Sequence, residues 1–148
     1  TSLTALEISE EMIRMSKKNA SDYNLLERIS YVKGSCLGMP LRDSSFDGVF
    51  SNGSLHEWGD PVNVFDEIFR VLKPGGRFFV SDLRRDMNAF VKWFLKALCK
   101  PKNMRSGLVS SLNAAYTPRE ISGILGKTRF VDFSVKSSPF GLEISGRK

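Results

Sequence analysis

The chain is poor in the residues that build metal centres and covalent staples. It holds two cysteines and one histidine among 148 residues. Cys36 and Cys99 lie far apart and form no C-x-x-C pair, so neither a metal site nor a disulfide framework is supported. Free thiols fit a reducing, cytoplasmic location. No apolar run approaches the ~20 residues needed to span a bilayer, and no secretory signal pattern is seen. Internal repeats, low-complexity tracts and long blocks of one charge are also lacking. No G-x-G-x-x-G fingerprint occurs, which argues against a nicotinamide-dependent oxidoreductase. What remains is an ordinary globular balance, 41% hydrophobic and 26% charged, with a net charge of +6. That charge fits an anionic substrate, nucleic acid or an anionic membrane surface, and equally a basic solvated surface. The length suits one domain over residues 1–148.

The chain is organised around FDGVFSNGSLHEWGDPVNVFDEIFRVLKPGGRFFVSD, Phe46 to Asp82. Asp47 to Ser51 is a short apolar run that predicts a buried strand. Asn52 to Gly59 is polar and glycine-rich and reads as a loop. Asp60 suits a helix N-cap, and Pro61 the first helical position, where its missing N–H costs nothing. Val62, Phe65, Ile68, Phe69 and Leu72 recur at helical spacing. Pro74-Gly75-Gly76 ends the helix after Lys73 and turns the chain. Phe78, Phe79 and Val80 then read as a fully buried strand. Strand, crossover helix and strand form a βαβ unit with parallel strands. Ligands of open parallel sheets bind outside the strands' carboxyl ends, which points to Asn52 through Trp58.

Upstream, Leu3 to Ile8 reads as a strand, followed by Ser9 as a cap and a helix with one face running through Met12, Ile13, Ser16 and Ala20. Asn19 to Glu27 is a polar connection and Arg28 to Lys33 an alternating strand. Downstream, Asp86 is placed to cap a helix striped by Met87, Phe90, Val91, Phe94, Leu95 and Leu98, which Pro101 ends. Lys102 to Leu112 is basic and polar. Thr117, Pro118 and Glu120 form a capping-box start, with Gly126 as the stop. Phe130 to Lys136 and Leu142 to Ser145, joined by a turn, predict an antiparallel hairpin at the sheet edge.

The segments FDGVFSNGSLHEW and RVLKPGGRFFVSD together resemble class I S-adenosylmethionine-dependent methyltransferases, most nearly the small-molecule ubiquinone/menaquinone-biosynthesis type. The resemblance runs from Thr4 to Lys148. It implies an α/β, Rossmann-like sheet with helices on both faces, mostly parallel with an antiparallel C-terminal hairpin. It also implies methyl transfer from S-adenosyl-L-methionine to a small-molecule acceptor. The acid ending the second family strand, which holds the cofactor's ribose hydroxyls, falls on Glu7, next to Ile8. A carboxylate has two acceptor oxygens for two adjacent hydroxyls. The adenine contact falls on Gly34, Ser35 and Cys36. Ser35 stands where Asp or Asn is usual, so adenine recognition rests on a shorter side chain or on backbone groups. Asn52 and Gly53 fall beside the sulfonium. His56 is a candidate general base; the alternative is that it orients the loop. Trp58 is read as an anchor for the helix, or as a cover for the site. Phe90, Trp93, Phe94 and Met104 either line an acceptor pocket or cover one sheet face. The basic amphipathic stretch also permits contact with a membrane surface or a lipid-like acceptor.

The family's glycine-rich D-x-G-x-G-x-G loop and the strand before it are missing from this chain. That strand is central in the order 3-2-1-4-5-7-6. Its loss predicts unpaired backbone on the strands at Leu3–Ile8 and Asp47–Ser51. Three explanations are open: an N-terminally truncated fragment, a second chain or homodimer filling the gap, or direct pairing of these two strands with a defective cofactor site. A non-catalytic methyltransferase-like module is the alternative function. A nucleic-acid substrate is not favoured, since SNGS follows Phe50 where amino-directed nucleic-acid enzymes carry N/D-P-P-Y/F.

Overall fold

The computed structural model describes residues 2–148 and divides into two compact units, Thr1–Arg42 and Asp43–Lys148. In the first, strand β1 (Leu3–Glu7) leads into helix α1 (Glu10–Asp22) and strand β2 (Ile29–Lys33). Ser9 caps α1 by accepting the Met12 N–H at 3.3 Å. β1 and β2 are parallel, with Glu7 opposite Lys33. On the expected face of α1, Ala20 is buried and Ile13 half-buried, while Met12 and Ser16 are exposed.

The second unit begins with β3 (Phe46–Asn52), α2 (Pro61–Val71) and β4 (Leu72–Asp82). β3 and β4 are parallel, as a βαβ unit requires. Asp60 caps α2 through the Asn63 N–H. Val64, Phe65, Ile68 and Val71 are essentially inaccessible to solvent. Each such burial stabilises the fold by about 1.5–3 kcal/mol. The Pro74–Gly76 turn lies inside β4, because its backbone is held by the chain's end: Gly75 N–H donates to the Lys148 carbonyl and Lys148 N–H to that of Gly76. Four residues are thereby looped out between the Phe46–Leu72 and Gly48–Arg77 pairs.

Phe79 departs from the expected buried run. Burial alternates along β4, with Phe78 and Val80 inside and Phe79 44% exposed beside Phe50 of β3. The packed face is closed by α2 and by a cluster of aromatic rings. Trp58 meets Phe65 edge-on at 5.3 Å, and Phe78 lies 4.4 Å from Phe130, which in turn meets Phe69. Trp58 is therefore an anchor for α2.

Beyond β4 come α3 (Ala89–Leu98), α4 (Arg105–Ala114), α5 (Pro118–Leu125), β5 (Asp132–Ser137) and β6 (Leu142–Arg147). Asn88, not Asp86, caps α3, since its side chain accepts the Val91 N–H while Asp86 pairs with Arg84. α4 arises where the sequence reads as a basic polar stretch. The Thr117–Glu120 capping box is present at α5. The hairpin joins the sheet through β6, giving the order β3-β4-β6-β5 with β6 antiparallel to both neighbours. Among the described residues β1 pairs with β2 alone and β3 with β4 alone. Each of the two strands thus keeps one unpaired edge, as expected.

Candidate functional site

β3 and β4 run parallel, so their carboxyl ends, Asn52 and Asp82, open at the same edge. At the end of β3, Asn52 Oδ1 accepts a hydrogen bond from the Ser81 hydroxyl at 2.7 Å. Gly53 follows with φ +70°, a conformation that favours glycine, and its N–H donates to the Ser81 carbonyl. A Cβ added at Gly53 would meet no atom within 4 Å, so this backbone faces open space. The chain then makes one short turn of 3₁₀ helix, Leu55–Glu57, pinned by Leu55, which is wholly buried.

That turn delivers His56 to Asp82. The His56 backbone N–H donates to Asp82 Oδ2 at 2.8 Å, and its ring Nδ1 lies 2.9 and 3.0 Å from the two carboxylate oxygens. Leu83 N–H donates to Oδ1 at 2.7 Å. Asp82 is the one buried charged side chain among the described residues, 1% exposed against 10% for His56. A carboxylate that only accepts hydrogen bonds selects the tautomer with the proton on Nδ1. Among the described residues Nε2 has no hydrogen-bond partner. It is reached by solvent, since Arg105 Nε is the buried side-chain polar atom without a partner among the described residues. The exposed Glu57 carboxylate lies 3.9 Å from Nε2. An imidazole held at Nδ1 by a buried acid, with Nε2 open, can take a proton from a bound molecule.

These residues edge a cleft of about 460 Å³. Asn52, Gly53, His56 and Asp82 form one side; Leu108 of α4 and Phe140 of the β5–β6 turn lie on others. Its size is in the range of small-molecule sites.

The other predicted contacts belong to the first unit. Glu7 ends β1 half-buried. Its Oε1 accepts the Ser9 N–H at 2.8 Å and its backbone carbonyl the Gly34 N–H at 3.1 Å. Oε2 has no hydrogen-bond partner among the described residues, so the carboxylate retains acceptor capacity. Ile8 is 66% exposed. At Gly34 a Cβ would lie 2.7 Å from Pro40, so glycine permits this close approach. Ser35 Oγ accepts the Leu37 N–H, which occupies part of the hydroxyl's capacity. Burial pushes the Cys36 thiol above its ordinary range, so the group stays a thiol and not a nucleophilic thiolate.

Residues 1–80 match the family model described as a methyltransferase domain. The chain belongs to this methyltransferase domain family. Among curated relatives of this methyltransferase-domain chain is the ubiquinone/menaquinone biosynthesis C-methyltransferase UbiE of Rickettsia massiliae. It is 33% identical over 95 residues, covering 64% of this chain and 38% of the relative. The UbiE of Rickettsia felis is 27% identical over 152 residues, 95% of this chain and 61% of the relative. This methyltransferase-domain chain thus spans about 38% to 61% of these relatives' lengths. A SAM-dependent methyltransferase from Aquifex aeolicus shares the fold, with a TM-score of 0.74 at 18% identity, covering 99% of this chain and 68% of that one. The [4+2]-cyclase SpnF shares it too, with a TM-score of 0.63 at 19% identity, covering 92% and 44%. The methyltransferase fold is therefore shown for this chain, while the cyclase illustrates that the fold alone does not fix the chemistry.

Asp82 and Ser81 are the site residues that sequence reasoning passed over. A signal existed: an acid closing a buried strand carries a high desolvation cost unless it is paired.

Proposed function

We propose that this chain serves S-adenosyl-L-methionine-dependent methyl transfer to a small-molecule acceptor. The observation that carries the reading is the family match over residues 1–80. The residues present fit the cofactor's chemistry. In the first unit, Glu7 offers a carboxylate with free acceptor capacity for a ribose diol, and Ile8, Gly34, Ser35 and Cys36 are the further candidates for cofactor contact. In the second, Asn52 and the side-chain-free backbone of Gly53 leave room beside the cleft. When bound, S-adenosyl-L-methionine supplies an activated methyl group for displacement by an acceptor nucleophile.

The protein's contribution is positioning together with proton removal. The cleft aligns the acceptor, which supplies the main rate advantage of such a transfer. His56 is the catalytic candidate. Nε2 accepts the acceptor's proton, and Asp82 supports the positive charge that then forms on the ring. An acceptor that must lose a proton, such as a weakly acidic hydroxyl, is the kind this pair serves.

The test is calorimetric titration of S-adenosylhomocysteine into the protein and into Glu7→Ala. A charge-assisted hydrogen bond contributes about 1.5–3 kcal/mol, so the variant should bind about 10- to 150-fold more weakly. Absence of binding both to the unaltered protein and to a version supplied upstream with the family's glycine-rich segment defeats the cofactor assignment. Equal binding by both proteins removes Glu7 from the site.

A further inference from the structure

Between Asp86 and Glu120 the sequence has no acidic residue, the longest such stretch in the chain, while Lys92, Lys96, Lys100, Lys102, Arg105 and Arg119 fall within it. α3 opens this stretch, and it buries none of its residues. Phe90 is 70% exposed, Trp93 63% and Leu98 60%. At about 100° per residue, Phe90, Trp93, Phe94, Ala97 and Leu98 share one side of the helix. Val91 and Leu95, which are half-buried, continue the apolar arc beyond Leu98, Lys96 borders the exposed part beyond Trp93, and the half-buried Lys92 lies on the opposite side. The Phe90 and Trp93 rings lie 5.9 Å apart, so the exposed aromatics form a patch and are not scattered. A contiguous exposed apolar patch marks an interaction surface.

Charge identifies what it meets. Lys92, Lys96, Lys100 and Lys102 enter no ion pair among the described residues. Two copies joined by this face about a two-fold axis would bring lysine against lysine. An exposed aromatic and Leu side bordered by Lys96 and followed by Lys100 and Lys102 instead matches a helix lying in a lipid interface. We propose that α3 and the basic segment behind it are a peripheral docking face for an anionic lipid surface. Phe90, Trp93 and Leu98 enter the headgroup–acyl boundary, and Lys96, Lys100 and Lys102 meet the lipid phosphates. This assignment is independent of methyl transfer. No helix among the described residues is long and apolar enough to cross a membrane, so the contact is one of lying on the surface.

The test is flotation of the protein with phosphatidylcholine vesicles, with and without phosphatidylglycerol, alongside tryptophan fluorescence. Trp58 is 9% exposed, so Trp93 is the tryptophan whose emission responds. Binding is expected with phosphatidylglycerol, weakened by salt, with a blue shift in emission. Each lysine near an anionic surface contributes about fivefold, so Lys96→Gln with Lys100→Gln should weaken binding about 25-fold. Phe90→Ser with Leu98→Ser should abolish the blue shift. Failure to bind phosphatidylglycerol vesicles overturns the proposal. So does binding that these variants leave unchanged, which would place the lipid contact elsewhere. Sedimentation showing a dimer that Trp93→Ser dissociates would give the face to a second copy and overturn it as well.

Discussion

Helices α2 and α3 are similar in length and in apolar patterning, and they end in opposite environments. α2 buries Val64, Phe65, Ile68 and Val71; α3 buries nothing. Both are capped at their N-termini, by Asp60 and Asn88. The difference lies in their connections. α2 joins two adjacent parallel strands, and a crossover of that kind must pack back onto its sheet. α3 leaves the end of β4 toward α4, and no such constraint applies. Their charges differ as well. On α2, Arg70 pairs with Glu67 and Asp43, and Asp66 pairs with Arg129. On α3 the lysines have no such partners. Helical periodicity therefore specifies that a face exists, and topology decides what covers it.

The largest expected effect lies on the packed side. Phe65 is wholly buried and touches the rings of Trp58 and Phe78. Phe65→Ala should destabilise the protein by about 3–5 kcal/mol, through lost burial and the cavity left behind. A urea titration would show this as a lower midpoint. A loss under about 1 kcal/mol would mean that α2 is as loosely held as α3, and the contrast would fail.

Asp82 sits on the same packed side and comes next. Asp82→Ala would strip the His56 and Leu83 backbone donors of their acceptor, at about 1–3 kcal/mol for each buried group left unsatisfied. Asp82→Asn separates structure from chemistry. Its amide can donate to Nδ1 and move the ring proton to Nε2. With a single histidine in the chain, ¹⁵N-labelled histidine gives one pair of ring nitrogen signals. The unaltered protein should show Nδ1 protonated, and Asp82→Asn should show Nε2 protonated. An unaltered protein already protonated at Nε2 would exclude Asp82 as the group that orients His56.

The βαβ unit, the capped helices and the C-terminal hairpin were legible in the residues because local rules produce them. Asp60-Pro61 and Thr117-Pro118 fix helix starts by hydrogen bonding of orphan N–H groups. Alternation marks the hairpin strands. The exposure of Phe79 was not legible, since a run of three apolar residues looks the same whether one or both sheet faces are covered. Nor was α4, whose sequence RSGLVSSLNA has little amphipathic signal. At the site, Asn52, Gly53 and His56 were placed by chain order alone. Asp82 lies 26 residues from His56, and register between β3 and β4 brings the two ends together. Single-sequence spacing does not carry that pairing.

A smaller effect belongs to the helix that packs beside α2. At α5, Thr117 Oγ1 accepts the Glu120 N–H, and Glu120 Oε2 accepts the Thr117 N–H at 2.9 Å. Thr117→Ala should cost about 1 kcal/mol. The Glu120 carboxyl is held below the usual glutamate range, by the Thr117 backbone N–H first and then by the Thr117 hydroxyl and Arg85, with burial opposing. A depressed folded-state pKa favours the folded protein above the ordinary value of about 4.3 and loses that benefit as pH falls through the folded value. Stability measured against pH should therefore fall more steeply below about 4.3 in the unaltered protein than in Glu120→Gln. Parallel curves would mean that the box does not depend on the carboxylate's charge.

The smallest effect is the sharpest test of the contrast. Phe90 has the size of Phe65 and likewise belongs to an apolar helix stripe, yet it is 70% exposed. Phe90→Ser removes little buried area, so the expected change is within about 0.5 kcal/mol, as for a surface site. Serine's slightly lower helix propensity than the best formers adds only tenths. A loss above about 1.5 kcal/mol would place the Phe90 ring against other residues of the chain in solution. α3 would then be a second packed helix, and its face would be closed to any outside surface. A near-zero loss, together with the Phe65→Ala result, would show two similar stripes used differently: one to hold the sheet, the other held in reserve for something outside the chain.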